Sequence, residues 1–266
     1  MEIHLSYHFK PFLKKFGRWL LPASIVLLLL LWEALARWGN LPEYMLPSPE
    51  RVAQRGWQAL LDGSLLRNAA FTLLEVVLGM SLGVILATLL GYALARSRML
   101  EKLLSPYLVA SQAVPVVAIA PLLVIWLGPG MGSKVIICAL IVFFPVLVNT
   151  IVGLRAVPKE LRELMHSLRA DRRQMLRYLE IPAALPVFLG GLRIGATLSV
   201  IGAVVGEFVG SDRGLGFLVN VGRGQYDTAL VFVAVFSLIL LAIGLYGLVV
   251  LAERRWLAWQ RHTLPS

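Results

Sequence analysis

Cysteine is almost absent from this sequence of 266 residues, and charged residues are scarce. The single cysteine, Cys138, lies within an apolar run, so the chain can form neither an internal disulfide nor a thiolate metal site. Charged side chains make up 15% of the residues, against about 25% in a typical soluble domain. Hydrophobic residues make up 58%, and the mean hydropathy is +0.78. This composition predicts an integral membrane protein.

Acidic residues are few as well, and 25 basic residues against 15 acidic ones give a net charge of +10. Such an excess is typical of proteins that bind nucleic acid, but those proteins carry the charge on a soluble face. Here Lys and Arg are confined to the ends of apolar segments, as in the cytoplasmic loops of membrane proteins. We therefore expect no nucleic-acid partner. The four histidines are scattered over the tails and one loop, so we expect no metal site.

Six apolar segments are long enough for a transmembrane helix, which needs roughly 20 residues. The first segment also fits a cleaved signal peptide, because basic residues precede it and residues 34–36 read Ala-Leu-Ala. Trp32 and Glu33 favour a retained helix, since cleavage sites prefer small neutral residues. The sequence thus predicts an all-α integral membrane fold with about six spans. These spans are Trp19–Ala36, Asn68–Ala95, Pro106–Leu127, Val135–Leu154, Val187–Val209 and Ala229–Leu251.

The basic residues are divided unequally between the two sides of this arrangement. With the N-terminus inside, 17 of the 25 fall in inner loops and tails and seven in outer loops. Because cytoplasmic loops carry the excess of Lys and Arg, both termini are expected in the cytoplasm. On the outer side, Ser48 followed by Pro49 predicts a capped helix lying along the membrane surface.

The inner loop after span four holds the largest cluster of charge and is patterned as two short helices. In the first helix apolar residues recur at i, i+3, i+4 and i+7. These residues are Leu161, Leu164, Met165 and Leu168. Such a short amphipathic helix fits an anionic lipid surface or a groove in a cytoplasmic partner, and the periodicity does not decide between them.

The second loop helix is predicted from its caps. Asp171 followed three residues later by Gln174 forms a capping-box pattern. Pro182 and Pro186 are expected to end this helix and to lead the chain back into the membrane.

Span five carries a stripe of small residues and one carboxylate. Gly202, Gly206 and Gly210 form two overlapping small-xxx-small motifs. The stripe fits ordinary packing within one subunit, or a closely packed wall of a transport pathway. Glu207 lies near the outer end of the span, where an ionisable residue is costly and faces protein or water. It either pairs with a basic residue such as Arg213, reaches the outer interface, or lines the pathway.

Three further polar residues fall inside predicted spans. Glu75 is a second, weaker ionisable candidate. Gln112 and Asn149 are uncharged candidates for the pathway, and each also fits a hydrogen bond between helices.

The stretch that reads ELMHSLRADRRQMLRYLEIPAALPVFLGGLRIG resembles the cytoplasmic loop of the permease subunits of bacterial ABC importers. Glu163 matches the glutamate of that family's EAA motif, and Leu164 and Met165 replace its alanines. Arg169 stands where the family usually has glycine. Further stretches resemble the branch that imports nitrate, sulfonates, taurine and pyrimidine or other vitamin precursors, over about 46–255. Those stretches are LPSPERV, APLLVIWLGPGMGSKVIICALIVFFPVLVNTIVGLRAVP and GEFVGSDRGLGFLV.

The resemblance implies a type I importer permease in the bacterial cell (inner) membrane. It implies a homodimeric or pseudo-dimeric pore, separate ATPase subunits and an extracytoplasmic solute-binding protein. The chain then divides into an N-terminal tail (1–18), one transmembrane permease domain (19–251) with its coupling loop (155–182), and a C-terminal tail (252–266). The resemblance seats the coupling helix in a cleft of the ATPase. The docking residues are Leu161, Glu163, Leu164, Met165, Leu168, Arg169, Ala170 and Asp171.

The chain shows no P-loop of its own. In the nearest approach, GPGMGSKV, Ser133 precedes Lys134 and the spacing is wrong. We therefore expect no cofactor in this chain, with ATP and magnesium bound by the partner ATPase. The predicted function is the pathway subunit of an ABC importer for a small organic or oxyanion solute.

Two other classes compete with that function. A stand-alone secondary transporter or channel should show inverted repeats or several buried charges, and the sequence makes neither evident. A membrane-embedded enzyme would need paired catalytic groups near one interface, and no such set is evident either.

Overall fold

The computed structural model describes residues 10–39 and 42–257, and the outermost parts of both predicted tails, 1–9 and 258–266, lie outside them. The described residues form eleven α-helices and one π-helical turn, with no strand among them. The helices are α1 (Lys10–Trp38), α2 (Pro49–Leu61), α3 (Ser64–Arg96), α4 (Arg98–Ala113), α5 (Val116–Leu127), α6 (Met131–Arg155), α7 (Lys159–Ser167), α8 (Arg172–Met175), α9 (Ile181–Gly210), α10 (Leu215–Gly224) and α11 (Thr228–Trp256), with the π turn at Leu176–Glu180 between α8 and α9.

Helix α6 is the centre of the bundle and packs along both α3 and α9. Glycine allows both close approaches. A Cβ atom placed on Gly79 of α3 would lie 2.5 Å from the Cβ atom of Cys138. A Cβ atom placed on Gly202 of α9 would lie 2.7 Å from the Cα atom of Cys138. Small residues let helix backbones approach in this way inside a membrane. The lone cysteine is therefore a small buried side chain clamped between two glycine-bearing helices.

The membrane fold is confirmed by the lengths and compositions of the helices. Among the described residues, α3, α6, the continuous helix Arg172–Gly210 and α11 are long and apolar enough to cross a membrane, and the pair α4 and α5 makes up to five. Helix α1 carries the first predicted span and is 29 residues long. Its side chains over residues 25–31 are exposed, as expected of a helix that faces lipid. Helix α11 continues to Trp256, past the predicted start of the C-terminal tail.

The third span is not one helix, as the sequence analysis predicted, but two helices bent by 94°. The break falls at Val114, which is extended with φ −80° and ψ 118°, and at Pro115. Proline lacks an N–H and disfavours helical geometry in the residue before it. None of the side chains of α4 is fully buried within the described chain, and only Leu104 and Leu108 pack partly against the bundle, so little packing opposes the break.

The sequence analysis expected Pro182 and Pro186 to end the second loop helix, and this prediction is wrong. The chain is helical without interruption from Arg172 to Gly210, over 39 residues. At the π turn the Ile181 N–H donates to the Leu176 carbonyl, five residues back. Pro182 follows directly, in the first turn of α9. The wider turn carries the helix past the missing N–H, which is a recognised use of π geometry.

The predicted helix after Ser48 forms with its predicted cap, and its place along the outer membrane surface stays a prediction. Ser48 caps α2 by accepting a hydrogen bond from the Arg51 N–H (3.3 Å), and Pro49 is its first residue. Arg55 of α2 pairs with Asp227 at 2.7 Å, and the Asp227 carboxylate also caps α11 by accepting from the Leu230 N–H. Helix α2 is therefore fastened to the outer end of α11.

Candidate functional site

The apolar stripe of α7 faces away from its own bundle. Leu161, Leu164 and Leu168 are 42%, 55% and 68% exposed. The opposite side of α7 is held by Arg162, whose guanidinium donates to the Leu154 carbonyl at 2.8 Å. Met165, the fourth residue of the predicted stripe, is half-buried. The three leucines therefore form an exposed apolar surface at the end of the bundle that the sequence analysis predicts to be cytoplasmic.

The turn after α7 explains the position at which the family usually has glycine. Arg169 has a φ of +55°, in the left-handed region that glycine adopts most readily. Its N–H donates to the His166 carbonyl (2.9 Å) and the Ala170 N–H donates to the Met165 carbonyl (3.0 Å), which closes the helix end. The arginine thus keeps the backbone turn that glycine would favour.

The predicted capping box at the second loop helix is confirmed. Asp171 Oδ1 accepts from the Gln174 N–H (2.7 Å), and Gln174 Oε1 accepts from the Asp171 N–H (2.9 Å). Asp171 is thereby committed to its own helix. The docking roles of Glu163, Ala170 and Asp171 stay a prediction.

The two uncharged pathway candidates lie in different surroundings. Gln112 is exposed in the last turn of α4, beside the break at Pro115. Asn149 donates to the Pro145 carbonyl of its own helix at 2.8 Å, so this bond does not join two helices. Asn149 also packs against Gly191 of α9, where an added Cβ atom would lie 2.5 Å from its own. Gln112 thus keeps an accessible amide, whereas Asn149 serves local packing.

The glycine stripe of span five packs against the same chain. Added Cβ atoms at Gly206 and Gly210 would lie 3.0 Å from the Lys134 Cγ atom and 3.2 Å from the Val124 Cγ1 atom. With Gly202 against Cys138, the stripe therefore faces α6 and α5 of its own subunit. A role as pathway wall stays a prediction.

Glu207 is fully buried, at 0% exposure, and it neither pairs with Arg213 nor reaches the outer interface. Its carboxylate accepts from the Thr72 hydroxyl at 2.6 Å and from the Gly216 N–H. Arg213 instead pairs with Asp212 at 3.4 Å.

The bonds of Glu207 belong to a larger cap at the start of α10. Three consecutive N–H groups there find acceptors on α3 and α9. The Gly214 N–H donates to Asn68 Oδ1 and the Leu215 N–H to Thr72 Oγ1, both at 2.8 Å, and the third N–H donates to Glu207. Anionic groups at a helix N-terminus are stabilising. The residues Asn68, Thr72 and Glu207 thus fix α10 to the outer ends of α3 and α9, and we call them the α10 cap.

A buried charge pair, Lys134 and Glu75, lies next to this cap. Lys134 of α6 is 3% exposed, its Nζ atom lies 3.8 Å from Glu75 Oε1, and it donates to the Pro129 carbonyl at 3.1 Å. The sequence analysis found no set of several buried charges, but Glu75, Lys134 and Glu207 are all buried. The one sequence signal for the burial of Lys134 is its position immediately before an apolar run. Its partner lies on a different span.

The geometry defines a class of protein. Within the described chain, an all-helical membrane bundle with one broken span carries a short amphipathic helix whose leucine face is exposed. The chain belongs to the family described as binding-protein-dependent transport system inner membrane component, whose model matches residues 79–258.

Relatives over nearly the whole chain agree with this family. The chain is 48% identical to the riboflavin transport system permease protein RibX of Chloroflexus aurantiacus, over 90% of each chain. It is 36% identical to the formylaminopyrimidine transport permease protein ThiX of Halalkalibacterium halodurans, over 89% of this chain and 94% of that one. It is 31% identical to the taurine transport system permease protein TauC of Escherichia coli, over 89% and 88%.

Solved structures share the fold. The inward-facing MetNI methionine ABC transporter matches with a TM-score of 0.62 at 18% identity, over 74% of this chain and 97% of that one. An amino acid ABC transporter determined with histidines matches with a TM-score of 0.59 at 19% identity, over 74% and 96%. The chain is therefore a multi-pass permease subunit of an ABC importer for a small solute. It is a transport subunit rather than a stand-alone transporter or an enzyme, which confirms the resemblance seen in the sequence.

Proposed function

We propose that this permease carries a small heterocyclic solute of the vitamin class, such as a flavin, across the bacterial inner membrane. The observation that carries this assignment is the 48% identity to a riboflavin permease over 90% of both chains. Identity to the formylaminopyrimidine relative is 36% and to the taurine relative 31%, so similarity falls as the named solute departs from a flavin.

The working unit is two copies of this chain with two ATPase subunits and an extracytoplasmic binding protein. The broken span supports pairing, because α4 buries no residue in its own subunit and Ile125 and Trp126 of α5 are 74% and 72% exposed. ATP and magnesium are bound by the ATPase, and both termini of this chain lie in the cytoplasm.

Uptake identifies the solute. The permease is reconstituted with the ATPase and binding protein encoded beside it, and ATP-dependent uptake of labelled riboflavin is measured in competition with formylaminopyrimidine and taurine. We expect riboflavin or a close flavin to be carried and taurine to compete poorly. ATP-dependent taurine uptake without flavin uptake would overturn the solute assignment and leave the subunit assignment standing.

The ATPase docks on the leucine face of α7. A helix of nine residues is marginal alone in water and depends on a surface that covers its apolar side. Fully burying a leucine contributes roughly 1.5–3 kcal/mol. Leu164→Asp should therefore weaken ATPase binding by roughly tenfold or more, at about 1.4 kcal/mol per factor of ten.

The docking test compares substitutions on the two sides of α7. Leu164→Asp and Glu163→Ala should release the ATPase or uncouple its hydrolysis from transport, with the permease still inserted. Lys159→Asp is the matched control, since it adds an acidic group in the exposed first turn, where a helix tolerates it. Co-purification and a substrate-stimulated ATPase assay report the result. Normal binding and stimulation in both variants would mean that α7 rests on lipid instead.

A further inference from the structure

Two adjoining clefts lie at the cytoplasmic end of the bundle. The first has a volume of about 360 Å³ and is lined almost wholly by apolar side chains of α3, α6 and α9, among them Leu89, Leu154 and Phe188. Its α3 and α6 walls and Phe188 lie within predicted spans, and its α9 wall begins just before span five. Its chemistry suits a hydrocarbon chain.

The second cleft is basic and has a volume of about 290 Å³. Arg96 at the end of α3, Arg162 of α7 and Arg172 of α8 all line it. Tyr92 and Leu154 line both clefts, so the apolar one continues directly into the basic one. Together they form a groove with an apolar half in the membrane and a cationic half at its cytoplasmic surface.

The charges in the basic cleft are not balanced within the described chain. Arg96 is taken by Glu180, at 2.7 Å. The other acid of the cleft, Asp171, is committed to capping its own helix. Arg162 donates one N–H to the Leu154 carbonyl and forms no ion pair among the described residues. Arg172 forms no ion pair among the described residues. Two guanidinium groups are thus left to an anion from outside the chain.

We propose that this groove binds one anionic phospholipid of the inner leaflet. The phosphate of its headgroup lies between Arg162 and Arg172, and one acyl chain lies in the apolar cleft. Basic pockets on the cytoplasmic side of transmembrane helices suit anionic headgroups. A free phosphate ion would satisfy the arginines but would leave the apolar half of the groove empty, so the joined shape favours the lipid. The basic half of the site is lined by coupling-loop residues, among them Ala170 and Asp171, but it does not include the leucine face of α7.

The test measures lipid retention by the full-length permease, purified with its ATPase and exchanged into nanodiscs of phosphatidylcholine and phosphatidylglycerol. Native mass spectrometry counts the lipids that remain after the nanodisc is removed. Arg172→Gln removes a headgroup contact, and Thr88→Phe fills the apolar cleft from the half-buried side chain of Thr88. The matched controls are Arg173→Gln, the adjacent arginine outside the cleft, and Leu86→Phe, on an exposed face of the same helix.

We expect one phosphatidylglycerol per permease, with phosphatidylcholine excluded. Arg172→Gln should lower retention by about fivefold, the factor set by one basic residue near an anionic surface. Thr88→Phe should lower it at least as far, and both controls should retain the lipid. Because the two variants lie in opposite halves of the groove, either one tests the proposal if the other folds poorly.

Three outcomes would overturn the proposal. Equal retention in all variants would mean that the groove binds no specific lipid. Displacement by millimolar inorganic phosphate, with Thr88→Phe unaffected, would identify a free-anion site. A loss of ATPase co-purification in Arg172→Gln, with lipid retention unchanged, would assign the cleft to the ATPase. None of these outcomes bears on the solute or on the transport class.

Discussion

Removing the carboxylate of Glu207 should destabilise the outer end of the permease. In Glu207→Ala the Gly216 N–H loses its buried acceptor, which costs about 1–3 kcal/mol. The loss of an anion at the start of α10 adds about 0.3–1 kcal/mol. The Thr72 hydroxyl is spared, because it can turn to the Asn68 carbonyl 3.2 Å away. We therefore expect a cost of roughly 1–4 kcal/mol in the free energy of unfolding.

Glu207→Gln separates the hydrogen bonds of this carboxylate from its charge. The amide oxygen still accepts from the Gly216 N–H, and the neutral side chain leaves the Glu75–Lys134 pair as the remaining buried charges nearby. We expect Glu207→Gln to lie within about 1 kcal/mol of the parent, which is the size of one neutral hydrogen bond. Since Glu207 is fully buried, transport by Glu207→Gln should be normal at every solute concentration.

Cys138 provides the assay for both variants. It is the one cysteine of the chain and is fully buried, so a fluorogenic maleimide reacts with it only when the bundle opens. At about 2–4 °C per kcal/mol, Glu207→Ala should lower the melting temperature by roughly 3–16 °C. If Glu207→Ala melts like the parent, the carboxylate does not hold α10. If Glu207→Gln transports abnormally while it assembles normally with the ATPase, Glu207 belongs to the pathway.

Three further predictions address packing, topology and the buried pair. Gly202→Ala places a Cβ atom against the Cys138 backbone and should cost about 1–3 kcal/mol, measured by the same melting assay. The control Gly190→Ala has no atom within 4 Å of the added Cβ atom and should melt like the parent. Equal melting of the two variants would refute the close contact. Cysteines at Ser64 and Ser167 should be labelled from outside and inside the cell respectively, and equal labelling by an impermeant reagent would contradict the topology. Lys134→Met leaves Glu75 buried without a cation and should cost about 3–5 kcal/mol in the same melting assay. Neutralising Glu75 as well should restore stability, and a double variant that stays unstable would contradict the pairing.

Local features of the fold could be read from the sequence because their causes are local. The Ser48 cap and the Asp171–Gln174 capping box each depend on residues within one turn, and both form as predicted. The prolines show where such reasoning ends. Pro145 and Pro186 lie inside continuous helices, whereas Pro115 breaks a span.

Packing explains why the prolines differ. Helix α6 is held along its length by α3 and α9, so tertiary contacts outweigh the local preference of Pro145. Helix α4 has no fully buried residue and packs on the bundle only through the partly buried Leu104 and Leu108, so little packing opposes the break at Pro115. Buried polar contacts have the same origin, since Glu207 and Thr72 lie 135 positions apart and meet only when α3 and α9 pack. The glycine stripe predicted a close approach but could not indicate which helix would fill it.

The π turn at Leu176–Glu180 amounts to one extra residue in an otherwise α-helical rod. Each residue of an α-helix turns the chain by about 100°. Deleting one residue from this turn would therefore rotate α8 and the capping box at Asp171 by about that angle relative to α9. Helix α7 is fastened to α6 through Arg162 and the Leu154 carbonyl and would not turn with α8, so the turn at Arg169 and Ala170 between them would have to change. The position of α7 relative to α8 thus depends on the helical phase that the π turn sets.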